Sequence, residues 1–334
     1  MPCTCGFVRF DIDSGKYRHT CSFYPNTDSL TNFLISSFSY REVWRMRMTV
    51  GQKIRTVFGV FSARSDIKRL LVRRYWERHK FFILDFAEVH AVYSTGDFYS
   101  NYWFWGPQNE ERVYEPAITQ LLVDRLNGSR GFVDVGANLG YFTVIASVIL
   151  KEAPLFAFEM DATLTPLIEL NLKLNGNKSA KVVSAAVGDN NGAPVNYSPH
   201  AFKFVEPVTG LRTEPFQVQL TATTVTLDTY FSNMSVLPNF MKVDVDGAEM
   251  AVLKGMSRFL EQPDFEMLLE IHSHHLPQFG SSADEVLNFL YTHGFKTYFV
   301  TNFRNEYGRL SEIRDARDLT AQTGDMVLVT RTLI

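Results

Sequence analysis

The sequence predicts an α/β protein whose main body is a doubly wound, largely parallel sheet with helices on both faces. Three observations carry this expectation. From Gly131 onward, short apolar runs alternate with stretches of helical periodicity, the pattern of successive β–α units. The first such run meets its helix at a glycine-spaced loop, Asp134-Val-Gly-Ala-Asn-Leu-Gly140. The last two apolar runs have no helical pattern between them, which permits an antiparallel hairpin at one edge.

In chain order, a helical pattern begins at Val113 and stops at Asn127-Gly128. Phe132-Val-Asp-Val is a short buried strand, followed by a helix over Leu139–Leu150. Leu155-Phe-Ala-Phe is the second strand, and Leu164–Leu174 the second helix, stopped by Asn175-Gly176. Lys181–Val187 reads as a third strand. Phe240–Val245 reads as a strand leading into a helix over Ala248–Leu260. Met267–His272 is a further strand, Ala283–Tyr291 a helix ended by His293-Gly294, and Phe295–Val300 and Met326–Thr330 the closing strands. Seven strands result. The stretch Asn196–Pro215, with three prolines and a glycine, interrupts the rhythm as an insertion.

The 334 residues suit one α/β domain (111–334) preceded by an extension (1–110). Apolar content of 46 % allows a substantial core without disulfides, and a net charge of −3 gives no whole-molecule field toward nucleic acid or membrane. The charge is uneven. Arg41–Lys80 holds twelve basic residues against three acids, so this segment carries +9 and the remainder −12. Within it, Ile67–Arg78 fits a helix with an apolar stripe and a cationic face, able to meet a polyanion or a membrane surface, although a solvated face is the preferred reading. The aromatic run Tyr93–Trp105 reads as local core. Cys3, Cys5, His19 and Cys21 have zinc-ligand chemistry at unfamiliar spacing, and free thiols are preferred. The longest apolar stretch, Tyr141–Leu150, is too short to cross a bilayer, and the N-terminus lacks a signal-peptide pattern, so a cytoplasmic setting is expected.

The chemistry lies at strand ends. In the loop after Phe132-Val-Asp-Val, Gly136 and Gly140 allow close backbone approach to a ligand, with Ala137, Asn138 and Tyr141 beside them. Asp134 at the strand tip can hold an ammonium group. The loop lacks both the G-x-G-x-x-G of a dinucleotide site and the lysine of a phosphate loop. Glu159 ends the second strand, with Met160 next, where a carboxylate grips ribose hydroxyls. Ala186 follows at the end of the third strand. Lys242, Asp244 and Asp246, with Glu270 and His272 on the next strand, are candidates for activating a substrate. A divalent metal on Asp244, Asp246, Glu270 and His272 is conceivable, but helix capping and cofactor contact are preferred for these carboxylates, and no metal is assigned.

These segments resemble the FkbM-type methyltransferases. Phe132-Val-Asp-Val-Gly-Ala-Asn-Leu-Gly-Tyr-Phe-Thr is similar to the family's first motif. Phe158-Glu-Met-Asp, Asn171–Asn175, Val225–Tyr230, Met241–Gly255 and Leu268–His272 follow in the family's order. Two departures, Met160 where the family often has Pro and Asp246 where it often has Glu, leave the neighbouring carboxylates in place. The resemblance implies a class I methyltransferase fold, a Rossmann-like seven-stranded sheet. It also implies S-adenosyl-L-methionine as cofactor, held by Asp134, Gly136, Ala137, Asn138, Gly140, Tyr141, Glu159, Met160, Ala186 and Asp244. Catalysis would fall to Asp244, Lys242, His272 and Glu270. The acceptor expected is a hydroxyl of a sugar, glycan or other small molecule. Alternatives are an RNA-directed methyltransferase anchored by the basic segment, and a non-catalytic binding module.

Overall fold

The computed structural model describes residues 9–11, 16–18, 80–105, 113–199, 219–302, 308–313, 315–319 and 324–332. The chain divides into two compact units, Met1–Val57 and Phe58–Ile334. In the first, β1 (Arg9–Asp11) and β2 (Lys16–Arg18) pair antiparallel, with Phe10 opposite Tyr17. Cys3, Cys5, His19 and Cys21 lie outside the described residues, as do the basic segment apart from Lys80 and most of the Asn196–Pro215 insertion.

The second unit is built on one sheet. Its members are β5 (Phe132–Val135), β6 (Leu155–Glu159), β7 (Lys181–Ser184), β11 (Phe240–Val243), β12 (Glu266–Ile271), β13 (Lys296–Thr301), β14 (Arg309–Glu312) and β15 (Asp325–Thr330). The spatial order is β14-β13-β15-β12-β11-β5-β6-β7. The five strands from β12 to β7 are parallel, while β15 runs antiparallel to both β12 and β13. From β5 the chain moves outward through β6 and β7, then returns to β11 on the other side of β5. That reversal opens a crevice at the carboxyl ends of β5 and β11, where doubly wound sheets bind ligands.

The sheet has eight strands rather than the expected seven. Arg309-Leu-Ser-Glu carries one apolar residue and gives no strand signal, yet it forms the edge hairpin with β13. β15 is buried at all six positions and lies inside the sheet, as a near-continuous apolar run should. The run Lys181–Val187 also divides. β7 stays in the main sheet, while β8 (Ala186–Val187) joins a small sheet with β9 (Pro194–Tyr197) and β10 (Leu220–Val225). The break falls at Ala185, whose N–H donates to the Glu159 carbonyl.

Alternate strand residues feed two cores. Phe132, Ala157, Phe240, Leu268, Met326 and Leu328 pack with α2 (Pro116–Leu126), α3 (Tyr141–Leu150) and α4 (Thr165–Leu174). Val133, Phe158, Met241, Met267, Val327 and Val329 pack with α5 (Leu227–Tyr230), α6 (Glu249–Lys254), α7 (Ser257–Leu260) and α8 (Ala283–Thr292). The period-2 geometry of a strand produces this division. The helix expected over Ala248–Leu260 is therefore two short ones. They are interrupted at Gly255, where a Cβ would lie 2.0 Å from the Gly188 carbonyl oxygen. The first helix of the unit's sheet-covering layer starts at Pro116, three residues later than its pattern, because Glu115 is left-handed at φ 44°.

Residues placed in an extension by sequence belong to the first core. The hairpin of β3 (Phe81–Phe86) and β4 (Val89–Ser94) and helix α1 (Phe98–Trp105) contribute Phe82, Leu84, Tyr93 and Phe104 to it, beside Ile118 and Tyr141. Asn175 and Asn171 of the α4 region accept from the backbone of Val92 and Ser94. The two compact units divide at 57/58, so this hairpin and α1 belong to the same unit as the main sheet.

Candidate active site

The loop after β5 is shaped by two close approaches. Gly136 has φ +84°, and a Cβ there would lie 1.8 Å from the carbonyl oxygen of Asp244, so only glycine fits. Its N–H and that of Ala137 donate to the Phe158 carbonyl, tying the loop to the end of β6. Asn138 follows at φ 51°, and Gly140, at φ 75°, stands before α3. This fold-back brings the Asn138 N–H to Glu159 Oε2 at 2.7 Å, while Asp161 N–H donates to Oε1 at 2.8 Å. A carboxylate has about four acceptor sites, so these bonds orient Glu159 without exhausting it.

Asp134, Lys242 and Glu270 share the strand face that looks toward α2 and α3. Asp134 pairs with Lys242 in register across β5 and β11. Thr143 of α3 donates to Asp134 Oδ2 at 2.5 Å, whereas Oδ1 is buried and has no hydrogen-bond partner among the described residues. Burial pushes the Asp134 carboxyl up from its ordinary range, against the pull of Lys242 and Thr143. The Lys242 ammonium is buried, donates to Asp244 Oδ2 at 2.8 Å and stands 4.9 Å from the Phe142 ring centre. Burial opposes its charge, but Asp244, Asp134, Glu270 and Glu115 outweigh it and hold its pKa above the usual lysine value. Asp244 is likewise opposed by burial, yet Lys242 and then His272 hold it below the usual carboxylate range. Burial, followed by the charges of Asp244 and Glu115, pushes Glu270 up to about 9.

His272 closes the row. Its Nδ1 lies 2.7 Å from Glu249 Oε1, an oxygen that also accepts from the Gly247 N–H at 3.0 Å. Its Nε2 faces Asp246 Oδ1 at 3.4 Å, Glu270 Oε1 at 3.7 Å and Asp244 Oδ1 at 3.9 Å. Burial works against charge on this ring, but the Glu249 hydrogen bond and the nearby carboxylates lift its pKa to about 9. His272 is therefore largely protonated at neutral pH in the free chain, unlike the unperturbed histidine that its residue type suggests.

The structure brings together Asp134, Gly136, Ala137, Asn138, Gly140 and Glu159 at one crevice mouth, and Lys242, Asp244, Glu270 and His272 beside them. Met160 is half-buried next to Glu159. Two further candidates also take part in the packing around the loop. The Tyr141 side chain is buried in an aromatic cluster with Tyr93, Trp103 and Tyr114 and lies near the Thr119 hydroxyl, so it builds core. Ala186 belongs to β8, paired with Thr224 of the small sheet.

Four residues escaped the sequence reading. Glu115 is buried and close enough to Lys242 and Glu270 to shift both. Glu249 is fully buried under His272. Thr143 anchors Asp134. Tyr99 of α1 donates to Asn138 Oδ1 at 2.9 Å, near the Glu159, Asp161 and Asp246 charges, and burial lifts its pKa to about 12. Only the Asp-Gly-x-Glu spacing around Glu249 offered a local signal; the other three act through tertiary contact.

Residues 134–297 match the methyltransferase FkbM domain. That segment holds every residue of the site except Tyr99 and Glu115. The chain is 28 % identical over 164 residues to the hexuronic acid methyltransferase AglP of Haloferax volcanii, covering 48 % of this chain and 63 % of that protein. It thus spans less than two thirds of the length of that relative. Among solved structures, similar chains include the FkbM methyltransferase of Methylobacillus flagellatus KT, with TM-score 0.38, 14 % identity, and coverage of 60 % of this chain and 43 % of that one. Another is an S-adenosylmethionine-dependent O-methyltransferase of Thermotoga maritima, with TM-score 0.36, 13 % identity, and coverage of 75 % and 78 %.

Proposed function

We propose that this FkbM-domain methyltransferase moves a methyl group from S-adenosyl-L-methionine to a hydroxyl of a sugar or glycan, a hexuronic acid being the first acceptor to try. The observation that carries the donor is Asp134 Oδ1, a buried carboxylate oxygen at the tip of β5 that has no hydrogen-bond partner among the described residues. An orphaned buried acceptor is costly, and a cationic amine is the donor that offsets it best. Glu159, fixed across the loop by two backbone N–H groups, suits a ribose diol. When bound, the cofactor supplies an electrophilic methyl group on a sulfonium.

The chain's own task is to hold an acceptor hydroxyl in line and to ease removal of its proton. Asp244 and His272 are the residues assigned to meet that hydroxyl. Lys242 stands behind Asp244 and keeps it ionised, and Glu270 adds a proton-holding carboxyl at their side. The sugar acceptor draws support from the name of the Haloferax volcanii relative.

The test has two parts. Calorimetry with S-adenosylhomocysteine on the folded chain should show one saturable site, and its absence sinks the donor assignment. Methyl uptake from labelled donor should then be scored over uronate-containing glycans, neutral glycans, small alcohols and RNA. Incorporation into RNA alone would replace the sugar reading.

A further inference from the structure

We propose that Asp244, Asp246 and His272 bind one divalent first-row cation of the manganese type, with Glu249 as the residue that positions the histidine ligand. One oxygen of each aspartate and one nitrogen of His272 lie within 4.8 Å of one another. They stand at the carboxyl edge of β11 and β12, beside the crevice already assigned to the donor.

The histidine points to a ligand independently of the acids around it. Its side chain is 7 % exposed. Nδ1 is committed to Glu249 at 2.7 Å, and Glu249 is completely buried and further fixed by the Gly247 N–H. A carboxylate on one ring nitrogen fixes the ring's orientation and leaves Nε2 to a ligand that displaces its proton, which is how metal-binding histidines are supported. Among the described residues Nε2 makes no hydrogen bond. Only carboxylate oxygens stand before it, at 3.4, 3.7 and 3.9 Å.

Those separations decide between occupants. A shared proton would draw one carboxylate in to about 2.8 Å. Ligand atoms on one ion with bonds of about 2.1 Å are roughly 3.0 Å apart at right angles and roughly 4.2 Å apart when opposed. The two distances from His272 to the aspartates, 3.4 and 3.9 Å, fall inside that second range. The aspartates are also free in the right way. Asp244 gives Oδ2 to Lys242, and its Oδ1 faces His272 Nε2 at 3.9 Å. Asp246 is held out at φ 49°, its side chain is 71 % exposed, and among the described residues its carboxylate has only His272 as an ion-pair partner. The exposure leaves remaining coordination positions open to water or a hydroxyl. Two carboxylates suit a hard divalent ion, and the one imidazole favours a first-row ion such as Mn²⁺, which accepts mixed oxygen and nitrogen ligands, over Mg²⁺.

The test uses the full chain, stripped with chelator and titrated with MnCl₂ by calorimetry and electron paramagnetic resonance. One Mn²⁺ should bind per chain. Asp246→Asn should weaken it at least tenfold, and asparagine tolerates the left-handed backbone, so the fold should survive. Glu249→Gln should weaken it about 10- to 100-fold through the lost support of His272. Exchange of the exposed Glu261 for Gln should change nothing. A folded wild-type chain that binds S-adenosylhomocysteine but takes up no Mn²⁺ overturns the cation site while leaving the donor reading intact. Mn²⁺ binding undiminished in both Asp246→Asn and His272→Gln overturns it equally.

Discussion

At the tips of β5 and β6 the carboxylates are held by donors from the two adjoining β–α units, whereas at the β11–β12 edge charges from separate segments hold one another. Glu159 takes backbone N–H groups from Asn138 and Asp161, and Asp134 takes the Thr143 hydroxyl. The donors are two backbone N–H groups and one helix hydroxyl, and the geometry follows from two adjoining turns. On the other side, Lys242 is the buried cation among Asp134, Asp244, Glu270 and Glu115, and His272 is braced by Glu249. The difference is between preorganisation by backbone and preorganisation by charge balance. The first should tolerate loss of a charge locally. The second should not, because each member removed leaves others buried and uncompensated.

The largest expected effect follows from that contrast. Lys242→Met should cost about 4 kcal/mol of unfolding free energy in urea at neutral pH, the scale for breaking a buried ion pair. Adding Asp244→Asn should recover part of it. A cost under about 1 kcal/mol would mean that the edge is not held by charge balance at all. Next, Gly136→Ala should cost about 3 kcal/mol by the same measurement, from a left-handed backbone and a clash with the Asp244 carbonyl. This variant attacks the seam between the two halves, so donor affinity should fall with it.

Asp134→Ala isolates the backbone-held half. We expect about 2 kcal/mol lost from S-adenosylhomocysteine binding, roughly 30-fold, with stability changed far less. Equal losses in both would show that Asp134 belongs to the charge network and not to the ligand site. The smallest effect is expected for Tyr99→Phe, which removes one hydrogen bond to Asn138 and should weaken the same binding by about 1 kcal/mol. No change there would confine Tyr99 to packing.

What could be read in the residues follows the same division. The Asp134–Gly140 loop was legible because glycine at a positive φ and an acid at a strand tip are local necessities. Glu159 was legible because it ends an apolar run. Glu115 and Tyr99 were not, since each reaches the site from an element far away in sequence and lies in a segment whose composition says only helix start or aromatic core. Tyr141 misled for the converse reason: its neighbours in the loop face the crevice, but one step into α3 turns its ring toward Tyr93. Arg309–Glu312 was missed as a strand because an edge strand half in water needs no apolar alternation.

By itself the sequence determined the alternation of strands and helices, the turn at Gly136, the acids at the strand tips and the family likeness. These depend on backbone conformation and on the period of apolar residues, both local. Only the tertiary structure decided that Asp134 and Lys242 sit side by side, that Glu249 lies under His272, and that the hairpin at residues 81–94 belongs to the same core. Those facts depend on which strands become neighbours and which face each charge takes. Neighbourhood across a sheet is settled by the packing of the whole domain, because burial of a charge is affordable only where its partners from other segments arrive with it.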